Sequence, residues 1–154
     1  MGKEINYFKT FCKVSKAFGT TLSEKKLLDL IVESAIDTMD GKAACLFLAD
    51  EIKDVFIPVA QKGLSHNYLH AEPLTAKKIV KAILKGGHLI IRDATTDPRV
   101  QNHAMKKAEG VASILDVPVR VKSKTIGVLA LYTATTRDFT RNEIDFLTAL
   151  AEQG

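Results

Sequence analysis

Two apolar stretches near the carboxyl end of this 154-residue chain decide its fold: GVASILDVPV at residues 110–119 and IGVLALY at residues 126–132. Both are rich in valine, leucine and isoleucine, and the polar sequence KSK at 122–124 separates them. Extended apolar runs joined by a short polar turn are typical of a β-hairpin. The pattern therefore predicts antiparallel strands over 112–121 and 125–133.

Three further strands are predicted upstream of this hairpin, over 43–49, 55–60 and 88–92. The run at 43–49 is apolar at every position, which is typical of a strand covered on both faces. Pro58 has no N–H to donate to a neighbouring strand, so we expect the strand at 55–60 to lie at or near a sheet edge.

Helices are predicted over 4–18, 24–39 and 140–154, with shorter ones over 66–71, 75–85 and 100–107. The last helix has the clearest start, because Thr140 is a good N-cap and Glu143 completes a capping box three residues later. Ser23 is a similar N-cap for the second helix. Helices gathered at the chain ends around hairpin-linked strands predict an α+β fold, formed by a single domain over 1–154.

The bulk composition excludes several classes of protein. The chain is 46% hydrophobic and 26% charged, which is typical of a globular protein. No apolar run reaches the ~20 residues that a membrane-spanning helix needs, and the first residues lack the apolar core of a secretory signal. Cys12 and Cys45 belong to no metal-binding cluster. We therefore expect a cytoplasmic protein with no membrane partner and no metal site.

The net charge of +4 does not by itself indicate nucleic-acid binding. The lysines are scattered along the chain rather than gathered on one face, so they predict solvated helix surfaces. Single-strand binding also needs exposed aromatic side chains to stack on bases, and the chain has no tryptophan and only three tyrosines. We expect no nucleic-acid partner.

The stretch from 110 to 132, followed by Phe139, Glu143 and Leu147 on a helix, resembles the closing pattern of GAF domains. In that pattern an S-x-x-x-V-P strand pairs with an I-G-V-L-x-L strand before an exit helix. The sequence DATTDPR at 93–99 is similar to the loop after the third strand in GAF modules of bacterial sensor kinases. The resemblance extends over roughly residues 23 to 154.

The resemblance implies a PAS-related central antiparallel sheet of about five or six strands, with the terminal helices packed on one face. A ligand pocket is then expected on the other face, under the segment 64–110. Members of the family often dimerise through their first and last helices. We therefore expect an N-terminal helix within 1–20, a homodimer through 4–18 and 140–154, and a signalling helix over 139–154 that continues into an effector such as a histidine kinase.

Each functional subtype of the family requires residues that can be sought here. The cyclic-nucleotide signature is missing beyond Asn102, and residues 46–154 hold no cysteine to tether a bilin or to act in a GAF-type methionine sulfoxide reductase. A haem would need an axial histidine, for which the candidates are His66, His70, His88 and His103. Haem, bilin and cyclic nucleotide are therefore not indicated, and we expect a non-catalytic sensory domain with an unidentified small-molecule ligand.

The candidate ligand-binding residues are Phe47, Ile91, Asp93, Asp97, Arg99, His103, Ser113, Leu115 and Asp116. Asp116 is the most unusual, because it lies in the middle of an apolar strand where an unpaired carboxylate is costly. Two interpretations stay open for it: an acceptor for a ligand amine or hydroxyl, or an internal ion pair with Arg92 or Arg120.

The long connection over 93–110 is expected to form an ordered lid over the pocket, since loops of this length are usually functional or disordered. Arg99 offers a bidentate contact to a ligand carboxylate or phosphate. His103 has no second metal ligand at helical spacing and is expected in a solvent-exposed loop, and Asp97 before Pro98 favours a turn. Two other functions remain open: a structural dimerisation module with a vestigial pocket, and a small GAF-type redox enzyme.

Overall fold

The computed structural model describes residues 24–50, 52–53, 55–65, 83, 87–98, 103–121 and 124–152. The predicted helices over 4–18 and 66–71 lie outside these residues, as does the Ser23 N-cap. The predicted helix over 75–85 also lies outside them except for Ile83, which is helical and buried.

The described elements are α1 (Glu24–Met39), β1 (Ala43–Asp50), β2 (Val55–Lys62), β3 (Leu89–Ile91), α2 (His103–Glu109), β4 (Ile114–Val121), β5 (Lys124–Tyr132) and α3 (Arg141–Ala151). The five strands form one sheet in the order β2-β1-β5-β4-β3, and every neighbouring pair is antiparallel. The predicted α+β fold is confirmed. Pro58 lies in β2 at one end of this order, so the prediction of an edge strand is also confirmed.

The sheet has two buried faces because side chains alternate along each strand. On the first, the helix face, α1 packs against β1 and β2 while α3 packs against β4 and β5. Its strand residues include Leu46, Leu115, Val117, Leu129 and Leu131. The second, the far face, carries Ala43, Cys45, Ile114, Ala130 and Tyr132 from the same strands. The central strands are thus apolar at both parities because both of their faces are covered.

Gly127 allows β5 to approach β1 closely at the centre of the sheet. A Cβ atom at this position would lie 2.0 Å from the carbonyl oxygen of Phe47 on β1. Real Cβ atoms do not approach backbone oxygens so closely, so any larger residue would push β5 away from β1. The glycine of the IGVLALY stretch is therefore required by strand packing.

The start of α3 is bound to the end of α1 by a buried charged group. The Thr140 side chain accepts a hydrogen bond from the Glu143 N–H at 3.1 Å, and the Glu143 carboxylate accepts one from the Thr140 N–H at 2.9 Å. This confirms the predicted capping box. The other carboxylate oxygen of Glu143 forms an ion pair with Arg137, whose guanidinium also donates to the Met39 carbonyl oxygen at 2.9 Å.

The apolar stripe of α3 is used inside the domain. Ile144, Leu147, Leu150 and Ala151 are buried in the core of the helix face, and Leu147 and Leu150 are fully inaccessible. A polar residue at Leu150 would therefore disrupt the core of the monomer, and the homodimer through 4–18 and 140–154 stays a prediction. The other part of that predicted interface, residues 4–18, lies outside the described residues.

We predict that Glu143→Gln lowers the free energy of unfolding by about 2 kcal/mol, since the half-buried Arg137 loses its counter-charge while the hydrogen bonds of the cap can persist. The matched control on the same helix is Asp145→Asn. It breaks an exposed pair with Arg141 at 3.2 Å and is expected to cost no more than about 0.5 kcal/mol. Urea unfolding of both variants measures the difference, and equal losses would contradict a special role for Glu143.

Candidate ligand-binding site

Asp116 lies on the far face of the sheet, in a row of paired residues that crosses all five strands and ends at Gln61 on β2, opposite Cys45. It is paired with Leu89 on β3 and with Ala130 on β5, and Ala130 is paired in turn with Cys45 on β1. Directly opposed residues of antiparallel strands point to the same face. The carboxylate therefore projects from the same surface as the buried Cys45 and Ala130.

The short helix α2 carries a buried lysine, Lys106. Lys106 is buried, with 5% of its surface exposed, whereas the adjacent Lys107 is exposed. Gly110 ends the helix with a φ of 79°, a left-handed conformation that glycine adopts readily. The next residue, Val111, donates its N–H to the Lys106 carbonyl oxygen at 3.0 Å and is buried on the far face. The turn thus holds Lys106 close to the start of β4.

Lys106, Asp116 and Cys45 influence one another electrostatically. Burial raises the pKa of Asp116 to about 7, although the positive charge of Lys106 acts in the opposite direction. Burial likewise lowers the pKa of Lys106, against the influence of the Asp116 carboxylate. The pKa of the Cys45 thiol is raised by burial and then by the negative charge of Asp116. The site therefore combines a carboxyl group that titrates near neutrality, a buried amine and a protonated thiol.

Neither of the arginines expected to pair with Asp116 does so. Arg92 donates to Asp138 at 2.9 Å on the protein surface, and Arg120 is exposed. The group that acts on Asp116 is Lys106, which the sequence pattern did not reveal. Its neighbours one helical turn away, His103 and Glu109, are polar, so no apolar stripe marked position 106 as facing inward.

Two of the predicted site residues lie on the far face close to the strand row, and a third lies on the opposite face. Phe47 is half-buried on the far face, with its ring centroid 5.9 Å from that of Phe56. Ile91 is buried on the same face at the end of β3. The prediction that Leu115 faces the pocket is wrong: it is fully buried on the helix face, because neighbouring residues of a strand point to opposite sides.

Ser113 is a structural residue just before the start of β4. Its hydroxyl donates to the Arg92 carbonyl oxygen at 2.5 Å and accepts from the Arg137 N–H at 2.9 Å. The side chain is completely buried. The hydroxyl therefore joins the end of β3 to the segment that leads into α3, and its hydrogen-bonding capacity is used within the protein.

The predicted residues of the loop after β3 make a turn. The Asp93 carboxylate accepts from the Thr95 N–H at 3.0 Å and from the Thr95 hydroxyl at 2.6 Å, and these bonds lower the pKa of Asp93. The Nε2–H of His103 donates to the Asp97 carbonyl oxygen at 2.7 Å, which ties the turn to the start of α2. His103 is thus half-buried rather than solvent-exposed. Arg99 lies outside the described residues.

Within the described part of the chain, no three histidine, cysteine, aspartate or glutamate side chains are grouped so that they could hold a metal ion. The same residues include no helix long and apolar enough to cross a membrane. Among the described residues, Lys106 and Cys45 are the ionisable groups that interact electrostatically with Asp116.

We predict that the Asp116 carboxylate destabilises the fold as the pH rises from about 4 to about 7. The unfolded chain loses this proton near the ordinary value of 3.8, whereas the folded protein holds it until about 7. Between these values the folded state binds more protons, so the free energy of unfolding falls with pH, by at most ~1.4 kcal/mol per pH unit. Asp116→Asn removes this contribution.

Urea unfolding of the wild type and of Asp116→Asn at pH 5, 6, 7 and 8 tests this. The stability of the variant relative to the wild type should rise with pH, and at pH 8 the variant should be at least as stable. A relative stability that falls with pH would mean that Asp116 is a structural ion pair whose charged form holds the fold together.

The sequence model of the GAF domain matches residues 23–154. No curated protein sequence matches the chain. The fold is similar to the GAF domain of a phosphoenolpyruvate-protein phosphotransferase from Coxiella burnetii, with a TM-score of 0.83 and 18% identity over 99% of this chain and 91% of that one.

Two further solved structures share the fold. One is a free methionine-R-sulfoxide reductase from Neisseria meningitidis in complex with its substrate, with a TM-score of 0.77 and 15% identity over 96% of this chain and 84% of that one. The other is a domain of a two-component sensor histidine kinase from Sinorhizobium meliloti, with a TM-score of 0.69 and 17% identity over 86% and 88%. With the family model matching most of the chain and the observed sheet order and helix packing, the chain belongs to the GAF domain family.

Proposed function

We propose that this GAF domain is a non-catalytic sensory module that binds a small molecule at Asp116 and Lys106. The observation that carries the proposal is a carboxyl group on the far face whose neighbours in the row, Leu89, Ala130 and Cys45, are apolar, together with a buried lysine that acts on it electrostatically. A few polar groups set in apolar walls are the usual composition of a small-molecule site.

The Asp116 carboxylate and the Lys106 ammonium group are not explained by a contribution to the stability of the fold. Asp116 is half-buried; if Lys106 fully compensated its carboxylate, the pKa of Asp116 would lie below its ordinary value, but loss of solvent around the group raises it instead. Replacing such a pair by apolar side chains is often neutral or stabilising. Groups whose pKa is shifted by burial and by a specific charged neighbour occur often at functional sites, which supports a binding role for the two residues.

Side chains of β4 point alternately to the two faces of the sheet, so this strand can carry a signal from the far face to the helix face. Asp116 faces the proposed ligand, while its neighbours Leu115 and Val117 pack in the helix-face core with Leu147 and Leu150 of α3. A close-packed core transmits small displacements. A ligand that moves β4 by drawing on Asp116 would therefore move α3, from which the signal passes to an effector.

The nature of the effector and of the assembly is also part of the proposal. Similarity to a sensor histidine kinase domain supports a place beside a kinase of this kind in a two-component system in the cytoplasm. A homodimer through 4–18 and 140–154 is part of the same proposal.

The two alternative functions make different demands. A structural module with a vestigial pocket requires that no ligand binds to the far face. A redox enzyme requires a reactive cysteine, but burial and the charge of Asp116 both raise the pKa of Cys45 and disfavour the thiolate. Reduction of free methionine sulfoxide with a thiol donor would contradict the non-catalytic assignment.

We predict that the freshly purified 154-residue chain carries a non-covalently bound small molecule, visible as a mass excess in native mass spectrometry that disappears on unfolding. Lys106→Met should abolish the mass excess, because the buried ammonium is lost. Lys107→Met is the matched control, since it makes the same change at the adjacent exposed position and should keep the ligand.

The circular dichroism melts of both variants establish that each is folded. A wild-type protein that is free of small molecules and binds none from a cell extract would favour the vestigial pocket. Equal retention of ligand by the two lysine variants would show that the binding site lies elsewhere.

A further inference from the structure

We infer that residues 4–18 pack as a helix across the β1–β2 hairpin of their own chain, where they cover an apolar surface formed by Leu48, Ile57 and Val59. Residues 4–18 lie outside the described part of the chain. Among the described residues, the exposed large hydrophobic side chains are all in this hairpin, at Leu48, Ile52, Ile57 and Val59. The inference goes beyond the proposed function, because this hairpin surface does not depend on a ligand.

Two of its residues belong to an open corner of the helix face. Leu48 and Ile57 are paired directly across β1 and β2, and Leu48 comes two residues after Leu46, which is buried in the helix-face core. Side chains two residues apart on a strand point to the same face, so Leu48 and Ile57 extend the layer on which α1 packs. Their exposed fractions are nevertheless 37% and 47%. The described helices therefore leave this corner of the sheet uncovered.

The outer edge of β2 suits a helix better than another strand. The pairing of β2 with β1 slips by one residue between Leu46 and Phe47, which leaves Val59 without a directly opposed residue. Such a β-bulge interrupts the regular hydrogen-bonding pattern, and Pro58 has no N–H to donate to an added strand. Bulges and prolines are means by which edge strands avoid pairing with other strands. A helix needs only side-chain contacts with this surface, so it is the occupant that the edge allows.

The position of α1 brings residues 4–18 to this corner. Met39, at the end of α1, is three residues before Ala43, the first residue of β1, and α1 contacts both β1 and β2. The helix therefore runs back along these strands. Its length of about 24 Å is close to the ~26 Å of β1, so α1 starts near the hairpin turn, at the same end as Leu48 and Ile57. Residues 19–23 reach at most about 17 Å from that start.

The sequence of residues 4–18 predicts a helix with an apolar side that needs a cover. Its phenylalanines share one side at helical spacing, at Phe8, Phe11 and Phe18. The lysines lie on the opposite side, at Lys9, Lys13 and Lys16. A helix of this pattern buries its apolar side against protein. Tyr7 and Val14 widen that side, so the segment can contact the hairpin surface and still serve in the proposed homodimer.

A double-mutant cycle in the full chain tests the contact. Ile57→Ser should lower the Tm by about 4 °C if residues 4–18 cover the side chain. In a background that carries Phe8→Ser, Phe11→Ser and Phe18→Ser, the same change should lower the Tm by less than half as much, because its partner is already lost. The matched control is Ile52→Ser, which makes the same substitution at a side chain of the hairpin that is 97% exposed. It should leave the Tm unchanged in both backgrounds.

Disulfide formation shows whether the segment belongs to the same chain. Val59→Cys is combined in turn with a cysteine at each of the three phenylalanine positions, and Cys12→Ser removes the competing thiol. Cys45 can stay, since burial raises the pKa of its thiol and disfavours the reactive thiolate. A mixture of ¹⁴N- and ¹⁵N-labelled chains is oxidised and analysed by mass spectrometry. At least one pair should form a disulfide within chains of a single label. Lys107→Cys, exposed on α2, replaces Val59→Cys in the control and should react at most about a tenth as much.

The outcomes separate this inference from the proposed function. Disulfides that join chains of different label would show that a second copy occupies the hairpin surface, and the inference would be overturned. Additive losses of Tm in the cycle, with no disulfide above the control, would also overturn it, because the surface would then be open or covered by another molecule. Neither result affects the binding of a small molecule, which is tested independently with Lys106→Met.

Discussion

The burial of the central strands on both faces is the constraint from which the rest of the structure follows. β1, β5 and β4 are apolar at nearly every position, and each fully buried leucine or valine contributes about 1.5–3 kcal/mol when it is removed from water. A sheet of this composition needs two covers. α1 and α3 provide one, and the buried Leu64, Ile83, Ala94 and Val111 contribute to the other.

Because both faces of the sheet are covered, β4 contacts different groups on its two sides. The residues on either side of Asp116 belong to the helix-face core, so the strand cannot move without disturbing α3. Asp116 itself belongs to the far face, where α2 brings Lys106 to it. A change of charge at Asp116 on the far face is thus separated from α3 on the helix face only by the thickness of the sheet.

Arg137 joins three elements on the helix side of this arrangement. Arg137 links the Met39 carbonyl oxygen, the Glu143 carboxylate and, through its backbone, the Ser113 hydroxyl at the start of β4. Its guanidinium also lies 4.9 Å from the ring centroid of Phe139. The end of α1, the beginning of β4 and the beginning of α3 therefore meet at one residue, so that displacement of any of them is shared by the others.

Local sequence signals determined the elements and much of their order. The apolar runs identified the strands, Thr140 and Glu143 marked the start of α3, and Pro58 placed β2 at an edge, because each of these signals depends on near neighbours in the chain. The sequence also singled out Asp116, since a carboxylate within an apolar strand is anomalous wherever the strand lies. What surrounds that carboxylate was decided by the tertiary structure alone. The face of Leu115, the burial of Lys106 and the internal use of the α3 stripe depend on strand register and on how a turn at Gly110 directs a short helix. Those are contacts between residues far apart in the chain, and no periodicity within one segment encodes them.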